Sequence, residues 1–312
     1  MPSSRTKGDG AKRQGVVLLQ NHAGRTTPAV CGRHTPFARR GQRMEDIEMT
    51  LVNQQQVEIV GVLNVNVFCK DTNIILFKND TSSIIIKEYK SIGRSIGSFN
   101  TEKSGDTINI IEGKHPLFFG AVRYTTEIYL PKIFTGNITL KIGTGNVQLN
   151  DNFALDSLTI ECSDGHISLS EVTAQKIKLQ TSGGKVQCGI INGDTEIHTK
   201  DGGIFIDQLN GNILADAKSG KIQCTVAKPK EKIMLSAGDG SITLNIPKDL
   251  YFRFSAKTSS RIKAPFRDSL SRPITSNNTY QGIIGEKNES GNEPTDINIT
   301  TKDYRITVDW ID

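Results

Sequence analysis

The phrase LQTSGGKVQCG, residues 179–189, recurs along the chain in altered form, as in IECSDGHISL, IHTKDGGIFI, ADAKSGKIQC and LSAGDGSITL. Set on one glycine of the turn, six copies align at Gly145, Gly165, Gly184, Gly202, Gly220 and Gly240, with spacings of 20, 19, 18, 18 and 20. Two places after each glycine stand Val147, Ile167, Val186, Ile204, Ile222 and Ile242. Five places before stand Leu140, Ile160, Leu179, Ile197, Ala215 and Leu235. Each copy therefore reads as two strands of period two around a polar turn. One copy cannot bury its apolar row alone. Stacked copies bury it continuously, with backbone hydrogen bonds between rungs. The expected fold is all-β: a single-stranded β-solenoid of about six regular rungs plus atypical end rungs. The turn glycines are expected to supply positive φ, and the Ser, Thr and Asp beside them to bond the local backbone.

The flanks are strand-like as well. QVEIVGVLNVNVF, NIILFKNDTSSIIIKEY and DTINIIEG precede the repeats, and TDINITTKDYRITVDW fits the template with Tyr304 in the place of the turn glycine. The expected organisation is a disordered basic tail over 1–43, an N-terminal β cap and first rungs over 44–130, the regular solenoid over 131–264, and a loop with a C-terminal β cap over 265–312. The polar stretch 267–295 is expected to be a mobile excursion.

Charge separates the tail from the rest. Residues 1–43 hold nine Lys or Arg against Asp9 alone, so they supply +8 of the net +5 and leave the remaining chain at −3. Met44 opens a natural-looking start, so the tail reads as an expression leader or over-extended start, or as a genuine basic arm. Composition does not mark the body as a nucleic-acid binder. With no signal or membrane segment, the expected address is cytoplasmic, with envelope association through a partner.

Little in the sequence points to catalysis. Asp164, Asp201 and Asp239 precede turn glycines on alternate copies, about 9–10 Å apart, and read as turn residues. His166 and His198 face outward in different columns, with no partner at metal-ligand spacing. The five cysteines form no CxxC pair. Cys188 and Cys224 share a column two rungs apart, beyond disulfide reach, and read as small core residues. No phosphate loop or nucleophile elbow occurs. No cofactor, metal or catalytic residue is expected.

Two surface features stand out. Lys200 and Lys218 share the column two before the glycine, and Lys185 and Lys221 sit across the same corner. Together they form a basic edge for an anionic polymer or lipid surface, or simply corner lysines that keep the sheet from pairing with strangers. Leu214 and Met234 share an outward column, with Phe205 on the neighbouring side. They read as an apolar contact patch, or as ground covered by the C-terminal segment.

EIYLPKIFTGNITLKIGTGNVQL, followed by repeats such as IKLQTSGGKVQC, is similar to the bacterial putative-adhesin domain of unknown function with β-strand repeats. It also resembles the related head domain of auto-transporter adhesins. The resemblance spans roughly residues 57–312. It implies a right-handed β-helix without known catalytic residues, and roles in adhesion and the envelope stress response. The resulting expectation is a non-enzymatic binding or structural module of the cell envelope. An intracellular scaffold that stacks end to end is the alternative, and a carbohydrate-active enzyme is a third reading. Partners would be an envelope polymer, a membrane-associated protein or a second copy.

Overall fold

Inter-rung pairing falls on the columns that the repeat defines. In the computed structural model, which describes residues 48–91, 99–113, 122–271, 279–287 and 293–311, Val147, Ile167, Val186, Ile204, Ile222 and Ile242 are successive ladder partners. The ladder through Leu140, Ile160, Leu179, Ile197, Ala215 and Leu235 is equally regular. All of these side chains are buried. The tail 1–43 lies outside the described residues.

Among the described residues, nineteen strands form one continuous, unclosed sheet. The chain opens with β1 (Thr50–Glu58), β2 (Asn64–Cys69), β3 (Asn73–Asn79) and β4 (Ser83–Lys90). There follow β5 (Asn100–Ser104), β6 (Thr107–Ile111), β7 (Tyr124–Pro131) and β8 (Asn137–Thr144). The regular rungs are long bent strands: β9 (Val147–Asp164), β10 (Ile167–Thr181), β11 (Val186–Thr199), β12 (Ile204–Ala217) and β13 (Ile222–Ala237). The chain ends with β14 (Ile242–Pro247), β15 (Phe252–Lys257), β16 (Ile262–Lys263), β17 (Thr279–Ile284), β18 (Thr295–Thr301) and β19 (Ile306–Ile311). Neighbouring rungs pair in parallel, as a coil of successive turns requires. The β-solenoid fold is thus the one that the repeat implies.

The order of rungs in space departs from their order in sequence at both ends. On the arm before the turn, β2 lies between β6 and β8. On the arm after it, β3 lies between β7 and β9. The rung made first is therefore inside the one made second. At the other end β18 lies between β13 and β15, and β19 between β14 and β16. There the last rung is inserted beneath the penultimate one.

Antiparallel strands cover both arms at the N-terminal end and one arm at the C-terminal end. β4 pairs with β7 and β1 with β4, β5 pairs with β6, and at the far end β17 pairs with β15. The stretch expected as an excursion thus contains a paired strand, β17, and a 3-10 turn, Arg267–Ser269, within its described residues. An aromatic plug fills the core mouth there. Phe266 packs edge-on against Phe252 and Phe254, at centroid distances of 5.2 and 5.1 Å, and lies 5.4 Å from Trp310. Capping of this kind covers the parallel rungs and leaves the outer strands of the caps as the margins of the sheet.

Candidate functional site

The corner where each rung turns is the most regular feature of the surface, and glycine makes it possible. A Cβ on Gly165 would lie 2.0 Å from the carbonyl oxygen of Gly145, and one on Gly202 would lie 1.8 Å from that of Gly184. The same clash recurs from Gly220 to Gly202 and from Gly240 to Gly220, at 2.1 Å each. The expectation that these turns demand positive φ holds only for Gly145, at 139°, and Gly165, at 159° and close to extended backbone. The column needs glycine chiefly because the stacked backbones approach too closely for a side chain.

Small polar side chains line the inner side of this corner. Thr181 donates its hydroxyl to Gly165 O at 2.8 Å, Thr301 to Gly240 O at 2.9 Å and Thr258 to Tyr304 O at 2.8 Å. Cys162 takes the same role towards Gly145 O, with Sγ at 3.2 Å. On the outer side, acceptors brace successive rungs. Asn73 Oδ1 accepts the Asn146 N–H at 2.8 Å, Asn146 Oδ1 accepts that of His166 at 2.9 Å, and His166 Nδ1 accepts that of Lys185 at 3.0 Å. His166 is thus a brace between rungs. His198, expected to be exposed, is half-buried and lies 2.8 Å from Glu196 Oε1.

This braced corner carries the basic columns. The backbone places Lys200 and Lys218 on adjacent rungs, since Ser219 donates its N–H to Lys200 O. Lys185 and Lys221 flank Gly203, whose carbonyl accepts from Val186 while Lys221 O accepts from Ile204. All four lysines are exposed, and among the described residues none has an ion-pair partner. Lys185 Nζ donates to Gln187 Oε1 at 3.1 Å, and Lys221 Nζ sits 5.0 Å above the Phe205 ring.

Three further cations extend the same columns beyond the repeats. Lys302 lies two residues before Tyr304, and Arg305 and Arg261 continue the Lys221 column, with Ile242 donating to Arg305 O and Ile306 to Arg261 O. The fit of Tyr304 to the template already places Lys302 and Arg305 there. Arg261 was hidden by the swapped order of the end rungs. Between the basic columns stand Asp164, Asp201 and Asp239 in turn positions, and rung exchange puts Asp303 beside Asp239. Among the described residues no group of three or more metal-ligating side chains gathers.

The apolar set is split. Leu214 and Met234 are direct ladder partners, 39% and 42% exposed. Phe205 stands on the other arm of the corner, half-buried beneath Lys221. The C-terminal segment does not cover the pair. It enters the ladder instead, with Asn298 opposite Met234.

A groove of about 500 Å³ lies beside the corner on the early rungs, lined by Phe68, Lys70, Glu112, Lys141, Glu161 and Cys162 among others. Its charges are matched internally. Lys141 pairs with Glu161 at 3.2 Å, and Glu112 accepts from the Lys70 and Asp71 N–H groups and the Thr72 hydroxyl. Burial raises the thiols of Cys69, Cys162, Cys188 and Cys224 above the usual range, so they stay protonated. All four cysteines are free and buried, as their small-core reading requires.

The sequence model of the family described as Toastrack DUF4097 matches residues 65–307. Among solved structures, the chain is similar to a "putative adhesin" from Bacteroides fragilis at 15% identity, covering 85% of this chain and 97% of that one with a TM-score of 0.46. It is also similar to a "putative adhesin" from Parabacteroides distasonis, at 12% identity, 85% and 98% coverage and a TM-score of 0.42. A "putative cell adhesion protein" from Clostridium sporogenes matches at 12% identity, with 85% and 98% coverage and a TM-score of 0.28.

Proposed function

The chain belongs to the Toastrack DUF4097 family, and from that premise we propose a non-enzymatic, adhesin-like binding module that meets an anionic surface of the cell envelope along its basic corner. The observation that carries this reading is the pair of exposed lysine columns, Lys200 with Lys218 and Lys185 with Lys221, without ion-pair partners among the described residues. Rungs spaced about 4.8 Å apart repeat these charges at a fixed interval. The glycine stack and the hydroxyl braces hold them still, so contact with a phosphate-bearing surface freezes little backbone. Each exposed cation beside such a surface contributes about 1 kcal/mol, and the contributions add along the edge. Arg261, Lys302 and Arg305 lengthen that edge.

In support of a non-enzymatic reading, Asp164, Asp201 and Asp239 stand singly in turn positions, and in the neighbouring groove Lys141 pairs with Glu161. The basic columns run from rung to rung, so contact along the side of the rod engages all four lysines. The test is sedimentation with phosphatidylglycerol vesicles, using the parent chain and the combined Lys185→Glu, Lys200→Glu, Lys218→Glu and Lys221→Glu variant. The parent is expected to bind in low salt and to release as salt rises, and the variant to lose at least roughly tenfold in affinity. Equal binding by the two chains would overturn the reading.

A further inference from the structure

Four strands form the outer margins of the sheet: β5 and β17 on the arm before the turn, β1 and β16 on the arm after it. An open margin is a template for further pairing unless something blunts it. Three of the four are blunted. β5 has five residues and carries Glu102 and Lys103. β16 has two residues and runs into Pro265. β17 is covered by Ser271, whose N–H donates to Gln281 O at 2.8 Å, and by Ser269 and Leu270 against Gly282. β1 differs. Its nine residues, TLVNQQQVE, contain one charge, at the very end, and among the described residues it pairs with β4 alone.

We propose that β1 pairs antiparallel with β1 of a second copy, making a closed two-fold dimer. The strand is suited to its own copy. A foreign partner would be recognised by charge or by pockets, and the edge Asn53–Val57 offers neither. The periodicity of β1 selects the register. Asn53, Gln55 and Val57 face the core side with Glu88, Ile86 and Ile84 as partners, while Gln54 and Gln56 point outward and are exposed. Like faces must match across the new pair. The irregularity between Leu51 and Asn53 breaks the alternation, so the regular stretch is 53–57. Centring on Gln55 uses all of it and sets Gln54 opposite Gln56 of the other copy. Because the other three margins are blunted, the contact closes on itself and does not propagate.

That register makes a sharp test in the full chain. The Gln54→Lys/Gln56→Lys variant would place Lys against Lys twice across the two-fold axis. The Gln54→Lys/Gln56→Glu variant would place Lys against Glu twice. Both positions are exposed, and the change at Gln54, which lies opposite Lys87 of β4, is common to the two variants, so thermal unfolding should be alike in the two. Analytical ultracentrifugation of the parent should give twice the chain mass of 34.2 kDa. The first variant should weaken the dimer roughly tenfold and the second should restore it. A parent that stays monomeric, or two variants that associate alike, would overturn the proposal. The Lys185→Glu, Lys200→Glu, Lys218→Glu and Lys221→Glu variant leaves β1 untouched and should keep the dimer mass while losing vesicle binding, so this inference and the basic-corner reading fail separately.

Discussion

The Cβ that Gly184 lacks would lie 1.8 Å from the carbonyl oxygen of Gly165. No side-chain rotation relieves that contact, because both atoms belong to stacked backbone. Gly184→Ala must push two rungs apart and stretch the hydrogen bonds on either side of the corner, including Thr181 Oγ1 to Gly165 O. The expected cost is about 3 kcal/mol or more, read as a lower midpoint in urea unfolding. Ser163→Ala, on an exposed position two before Gly165, should stay within about 0.5 kcal/mol of the parent. Equal midpoints for the two variants would show that the stack tolerates a side chain.

Phe266 seals the C-terminal mouth of the core against Phe252, Phe254 and Trp310. Phe266→Ala should cost about 3 kcal/mol through the cavity left behind. Trp310 is the only tryptophan in the chain and a direct neighbour of that cavity. Its emission should shift to longer wavelength in the folded variant as water enters. An unchanged spectrum would mean that the ring does not act as a plug.

Buried thiols give the fold an alkaline limit. Burial pushes the Cys224 thiol up to about 12 and raises Cys188 as well, whereas an unfolded thiol ionises near about 8.5. Between those values the unfolded chain has released the proton and the folded chain has kept it, so stability falls as pH rises. Each such thiol adds a slope of up to about 1.4 kcal/mol per pH unit above roughly pH 9. Urea unfolding at pH 8 and pH 10 should show the loss. The paired Cys188→Ala and Cys224→Ala changes should reduce it, leaving the share of Cys69 and Cys162. A slope unaltered by the substitutions would assign the alkaline loss to the other buried thiols, Cys69 and Cys162, which burial also raises.

The inward columns were legible because burial repeats a simple chemical demand at every rung. Val147 through Ile242 satisfy it visibly. The basic corner was legible for the same reason, as far as Lys185, Lys200, Lys218 and Lys221. The inner hydroxyls of Thr181 and Thr301 leave no such mark, since threonine at such positions looks like any β-branched strand residue. The role of His166 was equally hidden: a ring nitrogen that accepts from the backbone of the next rung leaves no pattern along the chain.

By itself the sequence determined that this chain is a stack of two-armed rungs, which residues face inward and where each rung turns. Periodic burial is local information, written every 18 to 20 residues. Tertiary structure alone decided which rung lies against which at the ends. It slid β2 and β3 beneath β6 and β7, and β18 and β19 beneath β15 and β16. It also made glycine a requirement of close approach more than of φ, and left β1 as a long margin with a single charge at its end. The physical reason is that rungs join through backbone N–H and C=O groups, which are the same on every residue. Such bonds accept any neighbour of matching register, so the order of stacking is settled by which arrangement closes the core at both mouths.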